Sequence, residues 1–392
     1  MLKSWRSWRA VVVAGALISA LAALGAAPAV AHHRGHRTHG SSHGSRHALH
    51  VSATRGSNTN PCTASAPCQT ISHAVGVAQP GDEIVVEHGS YPETVTIDKR
   101  LDLTGRGAKI DASGKVNGLV ITGAGAAGSK IEDLRVENAI GEGILVQSTS
   151  HILLEHNSVE NNDQGHDTSV TPECAPQGNV PGDCGEALHL IGVADSRVIG
   201  NRIAHNIGGI LITDETGPSH GNLILHNVSS DNGEDCGITL PSHNPNAVAD
   251  PSQAGVYDNW VIGNRSVRNG GAGIGMFAPA PGTASYDNHV IGNTTLDNGE
   301  AGIAIHAHAP GQNVSGNVIV GNRVAGNGID PDSGSGHPTG IALFSAASSA
   351  TVTVANNEIR DEYFGIFIAG PITASGLASN HISDVTVPIG HP

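Results

Sequence analysis

Eight times in its second half the chain repeats one unit: a short apolar strand, usually opened by Gly-Ile, then a second β-type run that ends on asparagine. The first strands are 143-GILV, 187-ALHL, 209-GILI, 237-GITL, 273-GIGM, 302-GIAI, 340-GIAL and 365-GIFI. The second runs end on Asn157, Asn201, Asn227, Asn264, Asn293, Asn322, Asn357 and Asn380. Five residues further on come Asn162, Asn206, Asn232, Asn269, Asn298 and Asn327. The first asparagines lie 44, 26, 37, 29, 29, 35 and 23 residues apart. A shortest period in the twenties, built from short alternating strands, predicts one coil of a parallel β-solenoid. The second and fourth residues of each Gly-Ile strand then face the interior, and the third and fifth face out. Stacked asparagines pair with one another along the corners and satisfy groups that burial would otherwise orphan. Glycine opens each strand because the corner before it is expected to need φ > 0. A narrow aliphatic core also explains why only 3% of residues are aromatic. Asn227, Asn264 and Asn293 stand in N-x-S/T sequons, but as ladder residues they are expected to be buried and unglycosylated.

The earlier coils read as 84-IVVEHGSY, 94-TVTIDKRLDLTG, 118-GLVITG and 131-IEDLRVENA. Before them, 69-QTISHAVGVA has helical spacing at Ile71, Val75 and Ala78, a cap for the open end of the stack.

Residues 1–31 read as a secretory signal peptide: Lys3, Arg6 and Arg9, an apolar run over 10–27, and an Ala-Val-Ala site with cleavage expected after Ala31. Segment 32–50 holds seven histidines among Gly, Ser and Arg and is expected to be a disordered linker, with metal scavenging the alternative. The folded domain is 51–392. Setting aside Lys3, Arg6, Arg9, Arg34, Arg37 and Arg46 leaves 14 basic residues against 35 acidic, a net −21. That field argues against nucleic acid. No segment after the leader is apolar enough to span a bilayer. In an exported chain the nearby cysteines are expected to pair as Cys62–Cys68 and Cys174–Cys184, leaving Cys236 as a buried small hydrophobe.

The pattern HVSATRGSN…PCQTISHAVGVAQPGDEIVVEHGSYPETVTI, followed by the GI…N…N repeats, resembles secreted right-handed parallel β-helix proteins of the pectin-lyase-like superfamily across 51–392. The repeats also resemble NosD-type periplasmic proteins, linked to copper-site maturation. The resemblance implies an all-β right-handed parallel β-helix, monomeric, whose partner is a polysaccharide or cell-surface glycan. Its alternatives are a non-catalytic glycan-binding protein and a copper-handling one. The chain lacks the lysine/arginine pattern of calcium pectate lyases and the paired-Asp motifs of polygalacturonases, so the resemblance names no bond.

Departures from the repeat locate a candidate site. Asp214 is the one acid at the sixth position of the Gly-Ile strands, with Glu215 beside it. Insertions 163–185 and 243–256 flank that coil and are expected to wall a cleft whose floor is His189, Leu211 and Thr239. Asp214, Glu215, His189, His243, Asp235 and His220 are the candidate acids and bases, with Glu186 a binding residue that the wall before strand 187-ALHL brings, beside His166 and Asp167. Such a set can run general acid–base glycoside hydrolysis or lyase chemistry, and Asp214, Glu215 and Asp235 are also oxygens for calcium, the candidate cofactor. The bland alternative is that Asp214 caps a turn. Phe277, His306 and Phe344 share the fifth position of successive coils and are expected to form a ring platform for sugars. Asp330 and Asp332, in the insertion beside it, are further oxygens.

Overall fold

The computed structural model describes residues 47–163 and 185–392. The leader, most of the histidine-rich linker and the Cys174–Cys184 pair lie outside the described residues. Each coil contributes a Gly-Ile strand, a second strand and a third strand, and every pairing between neighbouring coils is parallel. The second strands alone form a twelve-stranded sheet from Ala48–Val51 to Ile372–Ser375. Repeated parallel stacking of this kind is a right-handed parallel β-helix, as the repeat predicts. Among the described residues no helix is long and apolar enough to cross a membrane.

Register follows the expected columns. Leu145, His189, Leu211, Thr239, Gly275, Ala304, Ala342 and Phe367 are successive partners across the Gly-Ile strands. The interior is filled by the alternate residues, such as Ile210, Ile212, Ile274, Met276, Ile303 and Ile305, all fully buried.

The asparagines hold the register. From Asn157 to Asn380 each side-chain amide donates to the next Oδ1 at 2.8–3.1 Å, and each backbone N–H donates to that same oxygen. A second ladder runs through Asn162, Asn206, Asn232, Asn269, Asn298 and Asn327 at 2.8–3.1 Å. It ends on Glu362, whose Oε1 accepts both the side-chain and backbone N–H of Asn327 at 3.0 Å. The repeat reading missed a third ladder, Asn222, Asn259, Asn288 and Asn317, five residues before the first. Asn227, Asn264 and Asn293 are 1% exposed, which keeps their sequons out of solvent.

The reason given for the opening glycines needs correction. Gly143, Gly209, Gly237, Gly273 and Gly302 do not have positive φ. A Cβ on Gly209 would instead meet Gly237 O and Ser229 Oγ, and one on Gly237 would meet Ser266 Oγ. The requirement is close approach between coils. Positive φ falls one residue before the first-ladder asparagines: Gly200 63°, Gly263 61°, Gly292 63° and Gly321 68°, with His156 and His226 at 55°.

The helix Ile71–Val77 caps the N-terminal end with Ile71, Ala74 and Val75 turned inward. Thr70 accepts from His73 N–H, and Glu93 accepts from the N–H groups of Ile71 and Ser72. Cys62 and Cys68 form a disulfide with Cα atoms 4.6 Å apart. Cys236 is a buried free thiol, as expected, and burial pushes its pKa well up.

Two outcomes test the ladders. Asn264→Ala orphans Asn227 N–H and Ile224 O and should cost about 2–4 kcal/mol, read as a lowered Tm. Burial pushes the Glu362 carboxyl up to about 7. Its contribution to stability is therefore full below the unfolded carboxyl value and is lost as pH rises through about 7. Glu362→Gln mimics the neutral acid, so the variant's Tm should exceed wild type at pH 8 but not at pH 5, a difference of at most about 3 kcal/mol.

Candidate functional site

The outward column of the Gly-Ile sheet is not an open floor. His189 and Leu211 are no more than 1% exposed and Thr239 is 5% exposed, which corrects the expected cleft. Small residues and neighbouring side chains close this face. Phe277 packs over a patch of Cys236, Ala272, Ala301, Ala304 and Ala342, and Gly275 leaves room for its ring.

Asp214 is turned inward with no exposed surface. Its Oδ1 accepts from the N–H groups of His243 at 2.7 Å and Asn244 at 3.1 Å. Its Oδ2 accepts from Ser242 Oγ at 2.8 Å and Gly255 N–H at 2.6 Å. Burial pushes its pKa up, against those four donors. Both oxygens are committed to the two ends of loop 242–255, so Asp214 fastens that loop. The set Asp214, Glu215 and Asp235 therefore does not fit a calcium ion, which needs free oxygens converging on one point.

Behind Asp214 lie two hydrogen-bonded acid–histidine pairs. Glu142 Oε1 meets His189 Nδ1 at 3.1 Å, and His189 Nε2 meets Thr213 Oγ1 at 3.0 Å. Glu215 Oε1 meets His243 Nδ1 at 2.7 Å. Burial opposes the charge of Glu215, yet His243, His189 and Thr213 hold its carboxyl below its ordinary value. Glu142 and His189 are sealed, while Glu215 reaches a cleft of about 500 Å³ lined also by Thr216, Asn244, Asn246, Asp250 and Gln253.

Carboxyls line the edge where the Gly-Ile strands begin. Glu142 and Glu186 immediately precede two strands, and Asp235 and Glu300 stand two residues before Gly237 and Gly302. Glu142, Glu186 and His189 bring donor atoms within 4.8 Å of one another. Glu186 and Asp235 both stand against Gly208, where an added Cβ would lie 3.0 Å from Glu186 Oε1 and 3.2 Å from Asp235 Cβ, and burial raises Asp235. Glu300 is half-buried. Burial and then the charge of Asp330 push it up to about 7.

The ring platform forms, in altered shape. Phe277 stacks on His306 at 5.0 Å, but Phe344 meets that ring edge-on at 6.1 Å. His306 Nε2 lies 2.7 Å from Asp330 Oδ2, so the histidine is a buried spacer between two partly exposed phenylalanines. Burial works against the Asp330 charge, but His306 and the N–H groups of Ser333 and Asp332 hold its pKa below the usual range. His306, His308 and Asp332 bring donor atoms within 4.8 Å of one another, and Asp332 is exposed. His220 stacks instead on Tyr257, and Tyr257 on Tyr286, each at 5.1 Å, beside loop 242–255.

Sequence reasoning missed Glu142, Thr213, Glu300, Tyr257 and Tyr286. The signal was present: Tyr257 and Tyr286 sit 29 residues apart, the spacing of Asn264 and Asn293, and Glu300 repeats the offset of Asp235. Insertion residues His166 and Asp167 lie outside the described residues.

A family model described as a right handed beta helix region matches residues 117–264. No curated protein matches the chain. Among solved structures, the Dettilon tailspike protein is similar at 20% identity and TM-score 0.52, over 82% of this chain and 63% of that one. This chain thus spans less than two thirds of the tailspike, and the likeness shows the fold. Pectate lyase Pel9A aligns at 15% identity and TM-score 0.45, over 87% of this chain and 78% of that one. PfbA, a surface adhesin of Streptococcus pneumoniae, aligns at 12% identity and TM-score 0.42, over 81% and 87%.

Asp214→Asn turns an amide N–H₂ toward two donors. Backbone amides of 243–255 should then exchange at least about 10-fold faster, while those of the Asn ladders stay unchanged.

Proposed function

We propose that the chain is an exported glycan-processing protein that cleaves a polysaccharide laid across the Gly-Ile face between Phe277 and Phe344. The observation that carries this reading is the pair of environments at that edge. Glu300 is half-buried and pushed up to about 7, and Asp332 is exposed at the rim beside it. A carboxyl that keeps its proton near neutrality is suited to protonate a glycosidic oxygen. A second carboxyl group activates water or stabilises the positive charge that develops on the sugar. Glu300 takes the acid role and Asp332 the second. Phe277 and Phe344 offer apolar faces to sugar rings. His306 and Asp330 hold the platform between them and keep negative charge next to Glu300. The leader-like segment 1–31 supports export. Calcium has no step in this scheme.

A second reading is binding without cleavage. The stacked His220, Tyr257 and Tyr286 rings beside a polar cleft favour it, because ring ladders hold sugars without chemistry.

A panel of plant, microbial and host polysaccharides decides between them, read for new reducing ends and for the unsaturated product of a lyase. Cleavage should fall as pH rises through about 7, where Glu300 loses its proton, and Glu300→Gln should cost about 10²–10⁴-fold in kcat with substrate binding retained. Product formation by Glu300→Gln at the wild-type rate removes Glu300 from the mechanism. Retention on a polymer with no product from wild type selects the binding reading.

A further inference from the structure

The third strands carry a feature that the acidic face does not explain. Their outward register column runs Lys109, Arg135, Ser158, Arg202, Val228, Arg265, Thr294, Arg323. From Arg135 onward an arginine occupies every second coil, with a small or medium residue between. Neighbouring strands stand about 4.8 Å apart, so the guanidinium groups repeat at about 10 Å.

The rest of the chain makes this placement notable. After Arg197 the sequence contains five basic residues, Arg202, Arg265, Arg268, Arg323 and Arg360, within a domain of net −21. All five lie on this one sheet or at the corner that follows it. Scattered solvation would not gather them on one face.

Neutralisation changes along the column. In the early coils a neighbouring column supplies acids: Lys109 pairs with Asp111 at 3.6 Å and Glu137 at 3.3 Å. Arg135 pairs with Glu137 at 3.2 Å, and Arg202 with Glu160 at 3.2 Å. Further along, that column becomes Ala204, Ser230, Val267, Leu296 and Ala325. Arg268 and Arg360 keep carboxylate partners in Asp231 and Asp361. Among the described residues no carboxylate lies within ion-pair distance of Arg265 or Arg323, and both are exposed. Glu358 closes the column after Arg323. At the opposite end the stripe opens into a groove of about 590 Å³ lined by His88, Lys109, Asp133, Arg135, His156 and Ser158.

We propose that this face binds a linear anionic polysaccharide that carries one carboxylate or sulfate per disaccharide, lying along the helix axis. One coil advances by about the length of one pyranose ring, so arginines on alternate coils meet acids on alternate sugars. Guanidinium forks pair with such groups while the intervening Val228 and Thr294 leave room for the neutral sugar. Arg202, Arg265 and Arg323 span four coil steps, about 19 Å, enough for three acidic groups. A nucleic acid carries a phosphate on every residue and meets the long-range repulsion of the whole domain. The inference rests on the third strands alone and stands apart from the cleavage proposed for the Gly-Ile face.

Binding to a hyaluronan octasaccharide, whose uronate alternates with a neutral sugar, tests it beside an oligogalacturonate and a neutral dextran of equal length and a short single-stranded DNA. The hyaluronan oligomer should bind tightest, weaken as salt rises, and lose at least about 10-fold in affinity in the Arg265→Ser/Arg323→Ser double variant. The variant's Tm should match wild type, because both side chains are solvent-facing. Unchanged affinity in the double variant overturns the proposal, as does equal affinity for dextran. Oligogalacturonate binding as tightly overturns the spacing argument, and tighter binding of the DNA overturns the ligand class.

Discussion

The structure depends on asparagine amides stacked corner over corner. In the first ladder each Oδ1 from Asn201 to Asn380 accepts from the backbone and the side chain of the coil before it. A slip of one residue would break every such bond in that corner and turn an alternating strand inside out. Register is thereby fixed over coils whose lengths differ from 23 to 44 residues. Insertions can then leave the stack at any corner without disturbing the column above or below.

Fixed register turns sequence offsets into surfaces. Asp235 and Glu300, each two residues before a strand, become neighbours along one edge with Gly271 between them, and Glu186 stands against Gly208 beside Asp235. Burial raises Asp235, and burial with the charges of Asp330 and Asp235 raises Glu300. Arginines on alternate third strands become a stripe on another face of the coil stack. A chain of strongly negative total charge thus presents one face that resists anions and one that receives them.

Much of this was legible in the sequence. The Gly-Ile and asparagine spacings gave the coil, its inward residues, the column through His189, Leu211 and Thr239, and the contact between Phe277 and His306. The exposure of that column was not legible. Alternation says which way a residue points out of the coil, but not what closes over it, and Phe277 with its alanine bed shows how small residues are covered from the next coils. Asp214 was visible as an exception, yet its four donors come from a loop up to 41 residues away, which no local pattern encodes. The opening glycines were read through φ because turns usually demand it, whereas here the demand is contact with the neighbouring coil.

The central claim is that ladder-held coils build one wall on which Phe277, Glu300 and Phe344 meet a sugar chain together. A crystal structure of the Glu300→Gln protein with an oligosaccharide that the wild type cleaves tests this most directly. The account predicts sugar rings against Phe277 and Phe344, with a glycosidic oxygen within hydrogen-bond reach of residue 300. A saccharide seated elsewhere, with those phenylalanines bare, would contradict it.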